Sequence, residues 1–305
     1  MNTATATPAG EASPDSNVST RIIASIINYR NRSRMLSLVV IVIFLAFSLF
    51  PVYWVVMTAL RTQEDIFNQP VLLQPVALSL VNINYVLFGS TTNDPIIRFF
   101  FTSLIIASVT TLASTAMGVM CAYGLVRYET GGAALKNWFL SQRFLPPIAI
   151  MVPLFIIYKN LGLLDTYPGL ILLHVTVTVP LAVWLMLGHM QTLPPDFEEA
   201  ALVEGATRWQ AFIQVVVPLV SPGIAITAMF TFIASWNEYL FSYQLAGNNV
   251  STITVYIPRL RSAIALLFGQ VAAASLLSLI PSLAFAWVLQ RYLVHGLFSG
   301  GTQDV

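Results

Sequence analysis

The chain has 305 residues, 57% hydrophobic and 9% charged, whereas soluble domains average roughly 25% charged residues. That composition excludes an ordinary soluble protein and predicts an all-α integral membrane protein. A formal net charge of +1 with scattered basic residues gives no footprint for nucleic acid, and the single cysteine, Cys121, excludes an intrachain disulfide.

Residues 1–20 are rich in Thr, Ala, Ser, Pro and Gly, which cannot offset their own ordering entropy. Residues 1–34 are therefore expected to be a largely disordered cytoplasmic tail. A crossing helix needs about 20 apolar residues. By that measure the sequence predicts six transmembrane helices, at about 35–60, 98–126, 138–158, 168–189, 218–243 and 264–290. The domain reading is a first helix and extracytoplasmic loop over 35–97, a core over 98–290 and a cytoplasmic tail over 291–305. Pro146, Pro147 and Pro153 interrupt the third helix, so a break or kink is expected there.

Charge orients the spans. With the N-terminus inside, the inner segments hold Arg21, Arg30, Arg32, Arg34, Arg127, Lys136, Arg143, Arg208 and Arg291. The outer ones hold Arg61, Arg98, Lys159, Arg259 and Arg261. The excess lies inside, as the positive-inside rule requires. Both termini and the segment between the fourth and fifth helices are then cytoplasmic.

Ser103, Ala107, Thr110, Ser114 and Gly118 form a stripe of small residues, which reads as a packing seam in preference to a path lining. His174, inside an apolar helix, reads as a neutral ring bonded across helices in preference to a substrate contact. None of the three histidines has a second His or a Cys at metal-ligand spacing, so no metal site is proposed.

The segment from Glu199 to Pro218 is a polar helix–Gly–helix between two apolar spans, and its charges must stay outside the bilayer. Asp196 is read as an N-cap with Glu199 at the capping-box position, and Gly205 as the helix stop. Thr207 with Gln210 makes a second capping box. Four carboxylates (Asp196, Glu198, Glu199 and Glu204) beside one cation, Arg208, suggest a docking surface for another protein; the alternative is an amphipathic loop helix that only caps the bundle.

Further along, Thr227, Thr231, Ser235, Glu238 and Ser242 fall at helical spacing and form a polar stripe. Of these, Thr227, Thr231, Ser235 and Glu238, with Asn237, are candidates for a substrate path. The alternative for Glu238 is an interface carboxylate bonded to a neighbouring helix.

Glu199-Ala200-Ala201, Gly205 and Val215-x-Val217-Pro218 resemble the EAA loop of permease subunits of binding-protein-dependent ABC importers. Val215 and Val217 stand where the family has Ile and Leu. Phe144–Pro147, Leu161–Thr166, Ser235–Tyr239 and Gln290–Leu293 are similar to segments of the carbohydrate branch, of maltose and glycerol-phosphate type, in its smaller six-helix partner. The resemblance implies a bacterial inner-membrane permease whose EAA loop, between helices 4 and 5, couples to a separate ATPase. By position, Glu199, Ala200, Ala201, Glu204, Gly205 and Arg208 would make that contact. It also implies a homologous second permease, an ATPase dimer carrying ATP and magnesium, and an extracytoplasmic solute-binding protein. No cofactor is expected in this chain. There is no G-x-x-x-x-G-K-[ST] in it, so ATP is not expected to bind here through a P-loop. Two other classes stay open: an ion-coupled carrier, which would need mid-membrane acidic or His relays, and a membrane enzyme, for which no catalytic motif is present.

Overall fold

The computed structural model describes the backbone of residues 15–68, 78–89, 94–260 and 267–299, and side chains over 35–68, 78–89, 94–260 and 267–288. Every regular element among the described residues is helical. In chain order these are α1 (Asp15–Ala59), α2 (Gln63–Asn68), α3 (Val81–Phe88), α4 (Ile96–Arg127), α5 (Gly132–Ser141), α6 (Pro147–Asn160), α7 (Tyr167–Gln191) and α8 (Asp196–Val203). Then follow α9 (Arg208–Ala211), a π-turn (Phe212–Val216), α10 (Val217–Leu219), α11 (Ser221–Trp236), α12 (Leu240–Leu245), α13 (Ile253–Tyr256) and α14 (Phe268–Ser299), with 3-10 turns at Gln142–Phe144 and Ile257–Arg259. The chain divides into two compact units, residues 1–54 and 55–305.

Four stretches are long and apolar enough to cross a membrane: Met35–Ala59, Ile96–Arg127, Tyr167–Gln191 and Phe268–Val288. Two more are bent pairs. Gly132–Phe144 meets Pro147–Asn160 at 94°, and Arg208–Leu219 meets Ser221–Trp236 at 74°. The structure thus holds four candidate spans, or up to six if each bent pair counts as one.

The break expected in the third helix falls at Pro146-Pro147. Pro146 is extended and Pro147 opens α6, because proline restricts its predecessor to extended backbone yet suits a first helical turn.

Three expectations need correction. Residues 15–34 are helical within α1; apolar residues at 18, 22, 23, 26 and 27 recur at helical spacing, which supports a helix. The remainder of the expected tail, 1–14, lies outside the described residues, as do Arg261 and the side chains of Arg21, Arg30, Arg32, Arg34 and Arg291. The expected helix over 218–243 is not continuous: α11 stops at Trp236 and a new helix starts at Leu240. Both carboxylate oxygens of Glu238 accept backbone N–H groups, from Phe241 and Ser242; a side chain that caps a new turn competes with continuation of the old one. Lastly, the C-terminal helix runs past residue 290 to Ser299.

The second unit is built on α4 packed along α7, with α11 against both. In lipid the apolar environment outside is as favourable as the one inside, so close packing and hydrogen bonds hold such helices together. The small-residue stripe is that seam: Ser103, Ala107, Thr110 and Ser114 are buried. Ser114 Oγ lies 2.7 Å from Thr178 Oγ1, and Ser103 Oγ accepts from Ile253 N. At Gly118 a Cβ would stand 2.9 Å from the Ala182 backbone carbonyl carbon, so only glycine permits the helices to approach this closely.

At one end of the bundle, Asp165 joins the α6–α7 turn to the 246–250 loop. Its carboxylate accepts backbone N–H groups from Gly247, Asn249 and Val250 at 2.8–3.1 Å. Its backbone φ is 56°, a left-handed conformation that Asp tolerates better than most residues. Partial burial acts to raise its pKa, but the backbone donors outweigh it and hold the carboxyl below its ordinary value. A group depressed in the folded state stabilises fully above its unfolded pKa and loses that contribution as pH falls through its folded value. Asp165→Asn should therefore lower the melting temperature of the purified transporter at neutral pH. The difference from wild type should shrink in acid; a gap that stayed constant with pH would show that the charge is not what matters.

Candidate functional site: the α8 platform and the Glu238 cluster

α8 begins directly after Pro194-Pro195. Pro195, not Asp196, occupies the cap position, and no side chain caps the helix. The first capping box expected from sequence is thus absent, since Asp196 is already the first helical residue. Three acidic residues in the first turn, Asp196, Glu198 and Glu199, still favour this end through the helix dipole. The C-terminal end is a Schellman turn: Ala206 N bonds Ala201 O at 3.0 Å and Gly205 N bonds Leu202 O at 3.1 Å. Gly205 has φ 96°, which glycine alone adopts without strain. The second capping box is present, with Gln210 N on Thr207 Oγ1 and Thr207 N on Gln210 Oε1.

Successive residues on a helix turn by about 100°, and this separates two faces of α8. Glu198 is buried and points inward, beside the half-buried Ala201 and Leu202. Asp196, Glu199, Ala200, Val203 and Glu204 face outward and are exposed. Val203, at 89% exposure, is among the most open apolar side chains described. The outward face is thus apolar along its middle and acidic at its edges.

Glu198 is the residue that sequence reading underrated. It is ion-paired with Arg127 in the last turn of α4, Nε to Oε2 at 3.1 Å. That contact is ionic and lies off the N–H axis, since neither atom makes a well-directed hydrogen bond. Tyr123 donates its hydroxyl to the other carboxylate oxygen. Arg208 Nη1 in turn donates to Tyr128 OH at 3.4 Å, and the Tyr128 and Tyr123 hydroxyls lie 3.3 Å apart. Arg127 also donates to Leu193 O at 3.0 Å. The four carboxylates therefore do not share the single cation Arg208: Arg127 neutralises one of them, and Arg208 stacks on the Tyr128 ring at 5.4 Å. Only the helical phase of Glu198, on the side of Ala201 and Leu202, could have signalled this.

A second polar group lies farther along the bundle. His174 Nδ1 is 2.8 Å from Ser235 Oγ, and Nε2 is 2.9 Å from Ser242 Oγ. Ser242 donates to Glu238 Oε2 at 2.7 Å, and His174 Nε2 stands 3.5 Å from the same oxygen. His174 is thus bonded across helices, whereas the hydrogen bonds of Glu238 go to Phe241 and Ser242 at the start of α12, with His174 of α7 at ion-pair distance. Thr227 and Thr231 have no exposed surface and Ser235 has 4%. Thr231 sits 3.3 Å from Thr115 of α4. These three face the interior of this chain's own bundle; Asn237 alone of the candidate path residues is exposed.

Apolar helices of spanning length, packed through small residues and carrying their charged clusters at the ends, define a polytopic helical membrane protein. The chain belongs to the binding-protein-dependent transport system inner membrane component family, whose sequence profile matches residues 114–298. It is 31% identical to the trehalose transport system permease protein SugB of Mycobacterium tuberculosis over 84% of this chain and 93% of that protein. It is 30% identical to the trehalose/maltose transport system permease protein MalG of Thermococcus litoralis over 88% of this chain and 96% of that protein. The fold is that of a chain in the crystal structure of a bacterial ABC transporter involved in the import of the acidic polysaccharide alginate, with TM-score 0.69 and 20% identity over 93% of this chain and 99% of that one. The chain is thus an ABC importer permease subunit of the inner membrane, a transport component rather than an enzyme. Family membership does not favour an ion-coupled carrier.

Proposed function

We propose that this permease moves a sugar or sugar derivative and meets its ATPase through α8. Named relatives carry trehalose or maltose, and the fold is shared with an importer of a polysaccharide. The observation that carries the coupling role is the two-faced α8: Glu198 ties it to α4, while Glu199, Ala200, Val203 and Glu204 are left open. A short helix with small and apolar residues at its centre and carboxylates at its rim suits a groove lined by basic residues on another protein. Ala200 and Gly205 shape the close approach, with Ala201 half-buried behind them; Arg208 flanks it from the Tyr128 side.

In this reading both termini and α8 are cytoplasmic, and six spans cross the membrane, two of them bent. A homologous permease completes the path, an ATPase dimer supplies ATP and magnesium chemistry, and an extracytoplasmic binding protein delivers the solute. Movement of the ATPase subunits carries α8, and the Glu198–Arg127 pair passes that displacement to α4 and the bundle. The path lies at the interface with the second permease, where Asn237 offers an exposed amide and Glu238 fixes the local backbone. Thr227, Thr231 and Ser235 serve it by packing.

The test is co-purification of the tagged chain from its native membrane. Recovery of an ATPase, a second permease and a binding protein is expected, and the sugar that raises the melting temperature of that binding protein names the substrate class. A chain that purifies alone and supports ion-driven uptake after reconstitution would overturn the reading.

A further inference from the structure

A groove of about 550 Å³ opens along the side of the second unit between α4, the π-turn, α11 and α14. Its lining is apolar apart from Ser108, Thr111 and Thr115. It climbs α4 from Ser108 to Met120, about 18 Å at 1.5 Å per residue. One leaflet of the hydrocarbon core is about 15 Å deep, half of the roughly 30 Å total. Leu112 is 75% exposed at its rim and Trp209 is 63% exposed at its mouth.

The mouth is chemically different. Met120, Trp209 and Phe212 also line a second hollow of about 340 Å³, completed by Tyr123, Tyr128 and Arg208. Apolar groove and polar mouth are therefore contiguous. Arg208 is exposed, and among the described residues no carboxylate lies within ion-pair distance of it. Its guanidinium rests against the Tyr128 ring, which leaves its outer N–H groups free for an oxyanion. Tyr128 adds a hydroxyl beside it, and Trp209 is the residue type that favours the membrane interface.

We propose that this groove is a binding site for one anionic glycerophospholipid. The phosphate sits on Arg208 and Tyr128, and an acyl chain lies in the groove from Met120 towards Ser108. The argument for a lipid over another protein's helix is charge and length together: a single unpaired cation caps an apolar trough one leaflet deep. Basic pockets between helices on the cytoplasmic side recognise anionic headgroups in this way. Arg208 also flanks the proposed α8 contact, so lipid retention is scored apart from ATPase recovery.

The experiment is native mass spectrometry of the assembled transporter, purified and exchanged into a mixture of phosphatidylglycerol and phosphatidylcholine. Wild type is expected to retain phosphatidylglycerol in preference. Arg208→Gln should lower that retention roughly fivefold, the weight of one cation at the membrane surface, and Arg208→Lys should restore most of it. Ala228→Trp fills the groove and should displace the lipid with Arg208 intact. Size-exclusion profiles check that each variant still assembles, so that a loss of lipid is not a loss of fold. Equal retention of the two lipids, or no response to Arg208→Gln, overturns the proposal. So does a cross-link from Ala116→Cys to the second permease, which would show a protein helix in the groove.

Discussion

Glu198→Ala is expected to destabilise the transporter by about 3–5 kcal/mol, the usual cost of removing one partner from a buried ion pair. Arg127 and Glu198 have side-chain exposures of 12% and 8%, so the deserted guanidinium would find little water. The loss reaches further than the pair, because the Tyr123 hydroxyl also donates to this carboxylate. The measurement is the melting temperature and the yield of the purified complex. Replacing both partners by leucine should recover much of the stability, since the uncompensated charge disappears. That double variant separates two roles. If the pair only stabilises, its ATP-driven uptake should return with the melting temperature. If it also transmits the motion of α8, uptake should stay low while stability recovers. A Glu198→Ala protein as stable as wild type would show that the ion pair does not hold α8.

Glu199→Lys is expected to act in the opposite sense: little change in this chain's own stability, and at least tenfold weaker recovery of the ATPase. Glu199 is exposed, and surface substitutions commonly stay within about 0.5 kcal/mol. At an interface, however, reversal places like charges opposite each other at a cost of several kcal/mol. Glu199→Ala should fall between wild type and the reversal. The co-purification yield decides. Undiminished ATPase recovery with Glu199→Lys would remove Glu199 from the contact while leaving the family assignment untouched. Because Glu198 and Glu199 are neighbours in sequence yet about 100° apart on the helix, the pair of variants tests the two faces of α8 separately.

The spans were legible because lipid imposes length and apolarity on any crossing helix, and the long runs in α4, α7 and α14 satisfy both. The seam from Ser103 to Gly118 was legible because small residues at helical spacing let membrane helices approach closely. The end of α8 could be read from Gly205, and the start of α9 from Thr207 and Gln210. What escaped was set by tertiary contact. Arg127 and Glu198 are separated by 71 positions, and no local spacing links them. The stripe through Glu238 looked like one helix face, but the carboxylate turns back onto the N–H groups of Phe241 and Ser242 and breaks the helix it was assumed to extend. The N-cap expected at Asp196 failed because Pro195 already occupies that position.

The π-turn over Phe212–Val216 sets a limit on how this protein can drift in evolution. A π-turn holds one residue more than the α-helical turn it replaces. Removing that residue would restore regular helix but rotate everything on one side by about 100°. Phe212 and Val216 now pack with Tyr123 and Met186 in one apolar cluster, and such a rotation would carry that cluster out of register with α8. Length variation among descendants of this sequence should therefore be nearly absent between Gly205 and Val220. Insertions and deletions should gather instead in connections whose phase nothing else depends on.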